Sequence, residues 1–555
     1  MISITLPSGE ILKMQKGTRS LDVVKFIKDK FSAPVMEAIV NNVQTDLQYP
    51  LTQDCTLDFI TLDSELGMRV YVNTLLFMYL TSAKRRYPHV KMEVRNTLGS
   101  ALYIKFAEGK LSNEEVLNLQ FSMKDLVQRK VPINLVTSTK EECMTMEIDP
   151  VCDDDRKSLI NNAPEGTPVY MYELLGNKAF FFGKLAPNCG YCSKFELFPF
   201  DEGVIINYPS HHMWHDIENF EENKKIVHDV FQESNEWAHT LNCATIASFN
   251  KQIEQGFNNK MILVAEALHE KKIIAMADKI AAKKDKLKLV LIAGPSSSGK
   301  TSTCQRLSIH LAVNGLQAIP ISMDDYYVER EKTPRKPDGG YDFECVEAID
   351  LPLFNEQMEK LLAGESVRLP KFNFKTGKRE WKDGEFKLKE GEILLVEGIH
   401  GLNDRLTANI PAENKIKVYV SALTPMSLDN YNRINTTDVR LMRRMVRDNQ
   451  FRSHDALRTL LMWEDVRAGE EKYIFPFQPY ADIVFNTTLI YELAVLKKYA
   501  EPLLKAVPIE SGKAYMTAQR LLLLLSFVHQ IDDSDIPNNS ILREFVGGSV
   551  FRDAL

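Results

Sequence analysis

The chain has 555 residues, 44% of them hydrophobic and 26% charged, with a formal net charge of −7 and a pI near 6.0. At roughly 100–200 residues per domain this length implies three or four domains, and the mildly acidic balance argues against gripping nucleic acid by bulk charge while leaving a local basic patch open. The start, MISITLPSGEILKM, has no basic region followed by an apolar run. The apolar stretch Leu521–Val528 falls well short of the roughly 20 residues of a membrane helix. Eight scattered cysteines fit reduced thiols better than a disulfide framework. A soluble cytoplasmic protein with no membrane partner is expected, and the sequence leaves a homo-oligomer open.

Residues 1–62 alternate like a small sheet. Ile2, Ile4 and Leu6 form one strand, Ser8-Gly9 a turn, and Ile11 and Met14 a second strand. Ser20 can cap a helix through Leu21, Val24 and Ile27, and strands are expected at Ala38–Val40 and Leu57–Ile60. This is the pattern of a β-grasp module. Residues 63–225 predict an α+β domain: a helix over Arg69–Ala83, a hairpin over Lys91–Phe106, a helix over Asn113–Lys130, then strands at Val169–Glu173 and Ala179–Phe182. Residues 226–285, rich in Lys, Glu and Ala, predict a helical linker.

From 286 to 500 the pattern becomes alternating strand and helix. Leu289–Ile292, Ala318–Ser322, Ile393–Val396, Ile416–Val420 and Ile483–Phe485 are short aliphatic runs, as in a parallel, doubly wound sheet buried on both faces. A chain beginning near Lys286 is expected to fold by itself. Residues 501–555 predict a helical tail.

The first of these strands enters Gly294-Pro295-Ser296-Ser297-Ser298-Gly299-Lys300-Thr301, a G-x-x-x-x-G-K-[ST] loop followed by a helix. Gly294 and Gly299 permit backbone geometry closed to other residues. The N–H groups of Ser296, Ser297, Ser298 and Ser302 can then converge on phosphates at a helix N-terminus. Lys300 would neutralise the phosphates of ATP, and Thr301 would ligate Mg²⁺. After the second strand, Asp324 is the preferred base for an acceptor hydroxyl and Asp325 its competitor; that strand is expected to neighbour the P-loop strand. Glu397 ends the Ile393–Val396 run, where a carboxylate can hold Mg²⁺. Arg440, Arg443, Arg444 and Arg447 share one helix face, a cationic stripe suited to a lid. Arg444 and Arg447 are expected to act on the transferring phosphoryl group, Arg440 and Arg443 on bound substrate. The pair Cys189/Cys192 and the cluster His211, His212 and His215 offer zinc-type ligands, although the histidines sit among aromatic residues and no second C-x-x-C exists.

Taken together, GPSSSGKTS, SMDDYY, YDFE at Tyr341–Glu344, VEGIHGL and the arginine helix resemble the uridine kinase and phosphoribulokinase family. The resemblance implies a P-loop kinase using ATP and Mg²⁺, with Asp324 as base, Asp342 and Tyr327 on the sugar, and the arginines as lid. The expected acceptor is the 5′-OH of a nucleoside; a sugar phosphate, or an RNA-associated NTPase switch with no acceptor, are the alternatives. The sequence departs at Gly377, where uridine kinases present a histidine to the pyrimidine. Residues 1–62 look like the TGS domain of threonyl-tRNA synthetase and 63–225 like that enzyme's second, editing-type domain, which implies binding of an RNA or small ligand. The H-x-x-x-H pair of that editing site has no counterpart in Arg69–Phe77, so metal-dependent editing is not expected.

Overall fold

The computed structural model describes residues 1–107, 109–146, 153–220, 225–336 and 339–551. Among these residues no helix is long and apolar enough to cross a membrane.

The N-terminal unit is a five-stranded sheet. The hairpin Ile2–Thr5/Ile11–Met14 lies beside Cys55–Thr61, which pairs in parallel with the first strand, and Val35–Val40 and Val43–Thr45 complete the far edge. The helix Ser20–Ile27 packs Val23 and Ile27 on that sheet. Its N-cap position is Arg19, and Ser20 is its first helical residue.

The next unit is built around one buried helix, Glu65–Arg86, capped by Ser64. Its side chains are apolar on nearly every face because strands and helices surround it. A four-stranded antiparallel sheet contains the hairpin Met92–Thr97/Ala101–Phe106 and the strands Glu196–Phe200 and Gly203–Asn207. A three-stranded sheet holds Tyr170–Leu174 and Asn177–Phe181. The helix Asn113–Gln128 opens on a capping box between Ser112 and Glu115.

The C-terminal half carries five parallel strands. In spatial order they are Gln317–Ser322, Glu392–Glu397, Leu289–Ala293, Lys415–Ser421 and Ile483–Asn486. This corrects one expectation. The Glu397 strand separates the Asp324 strand from the P-loop strand, because the chain inserts its third strand between the first two. Alternate side chains serve two cores, as the twofold period of a strand requires. Val290 and Ile292 face one, while Leu289 and Leu291 face the other with Phe354 and Met358.

Residues 226–285 do not behave as a linker. The helices Lys225–Thr240, Ile246–Glu254 and Asn258–Ala281 bury Ala238, Phe249, Ile262, Ile273 and Ile280 in the same core as Val290, Val418 and Val420. The tail is helical over Lys513–Ser526 and then mostly irregular until a short turn of helix at Arg543–Val546. The halves are joined by Asp438, which ion-pairs with Arg69 of the buried N-terminal helix and with Arg520 of the tail.

Removing residues 1–285 would expose the sheet face that these helices cover. That truncated chain is expected to aggregate, whereas removal of 1–224 retains a cooperative melt. Light scattering and thermal circular dichroism test this; a soluble, cooperatively melting 286–555 would show the helices to be dispensable.

Candidate active site

The P-loop follows from backbone constraint. A Cβ on Gly294 would drive into the carbonyl of Val420 on the adjacent strand. Gly299, at φ +83°, takes the left-handed turn that starts the helix Lys300–Val313. The loop is then fastened to its surroundings. Thr487 Oγ1 donates to the Ser298 carbonyl at 2.6 Å. The Ser296 amide donates to Glu470 at 2.9 Å. Ser298 Oγ is buried with no hydrogen-bond partner.

The arginine helix, Thr436–Phe451, lies directly against this loop. Arg440 is buried, ion-pairs with Glu470 and donates from Nε to the Ser296 carbonyl at 3.0 Å. Arg443 is fully buried, ion-pairs with Glu492 and donates to the carbonyls of Thr487 and Ser297. These two residues therefore brace the loop from behind, which differs from a stripe facing substrate. Sequence spacing gave the shared face but not its carboxylates, which come from other elements. Arg444 donates to Ser296 Oγ at 2.9 Å and Arg447 to Ser297 Oγ at 3.1 Å. Burial lowers the Arg447 pKa, with Glu544 opposing.

Lys300 folds back on the loop, its Nζ donating to the carbonyls of Gly294 and Pro295 at 2.9 and 3.0 Å. Burial lowers its pKa, against the pull of Glu397 and Asp324. Thr301 Oγ1 lies 3.5 Å from both carboxylate oxygens of Glu397. Burial pushes the Glu397 carboxyl up to about 7, with Lys300 opposing. A hydroxyl and a carboxylate converging in this way are the hard oxygen donors that Mg²⁺ takes, so the residues fit that ion.

Asp324 and Asp325 lie in a 3-10 turn, Met323–Tyr326, rather than on the strand. Asp325 accepts from the Phe372 amide at 3.2 Å and pairs with Lys382 at 3.3 Å, so it holds the hairpin Pro370–Asn373/Lys378–Trp381. Asp324 stands open to the cleft yet crowded by protein; that desolvation raises its pKa, with Lys300 opposing. Asp342 accepts from Tyr473 Oη at 2.9 Å, and Tyr327 Oη donates to the Phe343 carbonyl at 3.3 Å.

Sequence reasoning passed over Glu344, although it stands two residues from Asp342. Burial pushes its carboxyl up to about 7, Glu470 adding to the effect and Arg444 opposing. The nearby His400 is buried, with Nδ1 unpartnered, and burial lowers its pKa to about 4. At the departure point, Gly377 is required by its turn. Its φ is +71°, a Cβ would meet that of Arg330 at 2.8 Å, and its carbonyl accepts from the Arg330 amide. A larger residue there would be strained and would have to displace the Arg330 side chain.

The zinc-type ligands separate. Cys189 and Cys192 are buried in the N-terminal core, where burial pushes the Cys189 thiol up to about 12. Instead His211 and His212 meet Glu471, one ligand atom from each lying within 4.8 Å of the others. His215 packs edge-on against Trp214.

A glycine-tight loop at the end of a parallel strand, a lysine, a strand-end glutamate and a buried arginine helix define a P-loop kinase fold. Residues 289–491 match the Phosphoribulokinase / Uridine kinase family, and residues 2–61 match the TGS domain. The C-terminal part of the chain is thus a domain of that kinase family, behind an N-terminal region homologous to threonyl-tRNA synthetase. The chain is 27% identical over 174 residues to threonine–tRNA ligase of Acetivibrio thermocellus, covering 31% of this chain and 27% of that protein. It is 26% identical over 203 residues to threonine–tRNA ligase 1 of Bacillus subtilis, covering 36% and 31% respectively. The chain therefore spans under a third of the length of these curated relatives. Among solved structures it is similar to one described as a possible uridine kinase from Bacillus stearothermophilus. There the identity is 19% and the TM-score 0.28, with 39% of this chain and 98% of that one covered. It is also similar to D-glycerate 3-kinase from Cryptococcus neoformans, at 14% identity and TM-score 0.26, with 38% and 87% covered.

The raised Glu344 and Glu397 give a pH signature. Below the ordinary carboxylate pKa of about 4.3 both folded and unfolded forms are protonated, and the contribution of these groups to stability is fully present. As pH rises towards 7 the unfolded chain sheds these protons first, so that contribution is lost. Denaturation midpoints between about pH 5 and pH 7.5 should fall less in Glu397→Gln than in the parent. An unchanged fall would place the Glu397 pKa near its ordinary value.

Proposed function

We propose that this kinase transfers the γ-phosphoryl group of ATP to a small-molecule hydroxyl, the 5′-OH of a nucleoside. The observation that carries this reading is the P-loop itself, with Glu397 3.5 Å from Thr301, Asp324 open to the cleft, and Asp342 fixed by Tyr473. A switch needs only the lysine and the metal-type carboxylate; an additional carboxylate open to the cleft suits an acceptor. Lys300 and the amides of the loop hold the phosphates. Thr301 and Glu397 would hold Mg²⁺, which would supply neutralising charge to the phosphates. Asp324 accepts the hydroxyl proton, and Arg444 and Arg447 stabilise charge on the transferring group. Asp342 and Tyr327 line the acceptor side, with Glu344 beside them. Catalysis is then positioning plus electrostatics.

Gly377 supports a second acceptor class. With Arg330 closing that turn, no side chain reads a base from that position, so a sugar phosphate remains the alternative. Acceptor-dependent ADP release across nucleosides and sugar phosphates separates the two. Release that no acceptor increases would favour the switch.

Lys300→Ala is expected to lower turnover by orders of magnitude in a folded protein, since preorganised charge on the transferring group contributes several kcal/mol. Turnover within a few-fold of the parent would remove the P-loop from the mechanism. Asp324→Asn should leave ATP affinity nearly intact and cut phosphorylated product by roughly 10²–10⁴-fold. Asp325→Asn should be much milder, because that carboxylate ties a hairpin. Calorimetry and chromatography of the product read both; equal turnover in all three proteins would end the acceptor-site reading.

The N-terminal half is read as a ligand-binding unit. A cavity of about 1930 Å³ lies between it and the arginine helix, lined among others by Asn73, Lys184, Tyr208, Arg433 and Arg440. Arg433 Nε is buried there with no hydrogen-bond partner. That suits an anionic group, from a short RNA or a nucleotide. Arg433→Gln should weaken binding of such a ligand at least tenfold in a fluorescence titration. Equal affinity would place the ligand elsewhere.

A further inference from the structure

The P-loop helix has an anion at its N-terminus that comes from the chain itself. Glu544 sits in the short helical turn Arg543–Val546. One carboxylate oxygen accepts from the Ser302 amide at 3.2 Å and from the Ser302 hydroxyl at 2.8 Å. The other accepts from Arg447 Nη1 at 3.1 Å. An amide in the first turn of a helix is an orphan donor, and at a P-loop such donors serve phosphate oxygens. Arg447 is in turn bonded to Ser297 of the loop. A single carboxylate thus takes the amide, hydroxyl and guanidinium that a nucleotide phosphate would take.

The segment carrying Glu544 is firmly seated. Ile541, Leu542 and Phe545 are fully buried. Phe545 lies under the guanidinium groups of Arg443 and Arg447, at 5.0 and 5.6 Å. Ile541 packs so close to Gly299 that a Cβ there would meet its Cγ2 at 2.8 Å. Arg543 is fixed by Asp533 and by the carbonyl of Ile536. The backbone therefore stays in place and keeps the carboxylate at high effective concentration. The Glu544 side chain retains 14% exposure, which leaves it a path away from the loop.

We propose that Glu544 is an internal surrogate for a nucleotide phosphate. It neutralises the loop before nucleotide arrives and must rotate off Ser302 and Arg447 for a phosphate chain to bind, which sets a threshold on nucleotide affinity. This rests on the reading of Gly294–Thr301 as the ATP site.

The test is calorimetric titration of the full chain with ATP, ADP and adenosine. Glu544→Gln keeps the shape and removes the charge; it should tighten ATP and ADP at least tenfold and leave adenosine unchanged. Glu544→Asp, which keeps the charge, should gain less than Gln. A merely structural tie predicts the opposite sign, weaker nucleotide in Gln. In the unaltered protein, carbodiimide labelling of Glu544 read by mass spectrometry should rise several-fold when ATP is added. ATP bound equally by parent and Gln, or labelling that ATP does not raise, overturns this proposal alone. No ATP binding by either protein overturns the nucleotide-site reading, and this proposal with it.

Discussion

A buried guanidinium is costly unless a carboxylate balances its charge, and two such groups organise this molecule. Arg440 and Arg443 lie out of water behind the P-loop, each balanced by one carboxylate, Glu470 or Glu492, and each also donating to a loop carbonyl. Removing either carboxylate would leave an uncompensated charge in the interior, which costs far more than the pair contributes. The arrangement therefore serves geometry more than net stability. It fixes the carbonyl side of Ser296 and Ser297, so that the hydroxyls of the same residues face Arg444 and Arg447. The arginine face divides by depth into Arg440 and Arg443, which brace the loop, and Arg444 and Arg447, which meet its hydroxyls.

The same helix carries the joint between the halves. Asp438 stands in its first turn, where a helix favours negative charge. Against the burial that would raise it, Arg520 and Arg69 hold the Asp438 carboxyl well below the usual carboxylate range. One helix thus presents an anion towards the N-terminal half and the tail, and cations towards the phosphate loop. The three helices of 225–281 close the sheet face from another side, so the kinase core reaches beyond residues 289–491, where the family match lies.

Much of the fold was legible because local signals were strong. The five β-branched or aliphatic runs became strands within a residue or two, and the three central ones are buried on both faces. The loop Gly294–Thr301 could be read because glycine is demanded at both of its ends. Legibility failed where the answer depended on pairing across the chain. Sheet order is not written in any one strand, so the place of the Glu397 strand next to the P-loop strand was missed. Asp325 stood in sequence as the competitor of Asp324, and only the fold shows that Phe372 and Lys382 hold it. Lys-rich composition at 226–285 suggested a linker, because the apolar positions of Asn258–Ala281 are diluted by a solvated face. Glu470, Glu492 and Glu544 carry no motif; only folding brings them to the loop.

The Asp438 joint has a consequence for how such a chain is inherited. A fusion of two domains through a slack linker lets each half drift in sequence without reference to the other. Here a charge on the N-terminal helix, Arg69, is answered by a residue of the helix that grips the phosphate loop, and Arg520 answers it again from the tail. A change in any one of these three distant segments would leave a buried charge short of a partner. A half borrowed from another lineage would arrive with its own surface and leave Asp438 buried with too few cations around it. One buried carboxylate thus ties the two halves of the chain and its tail into a single electrostatic unit.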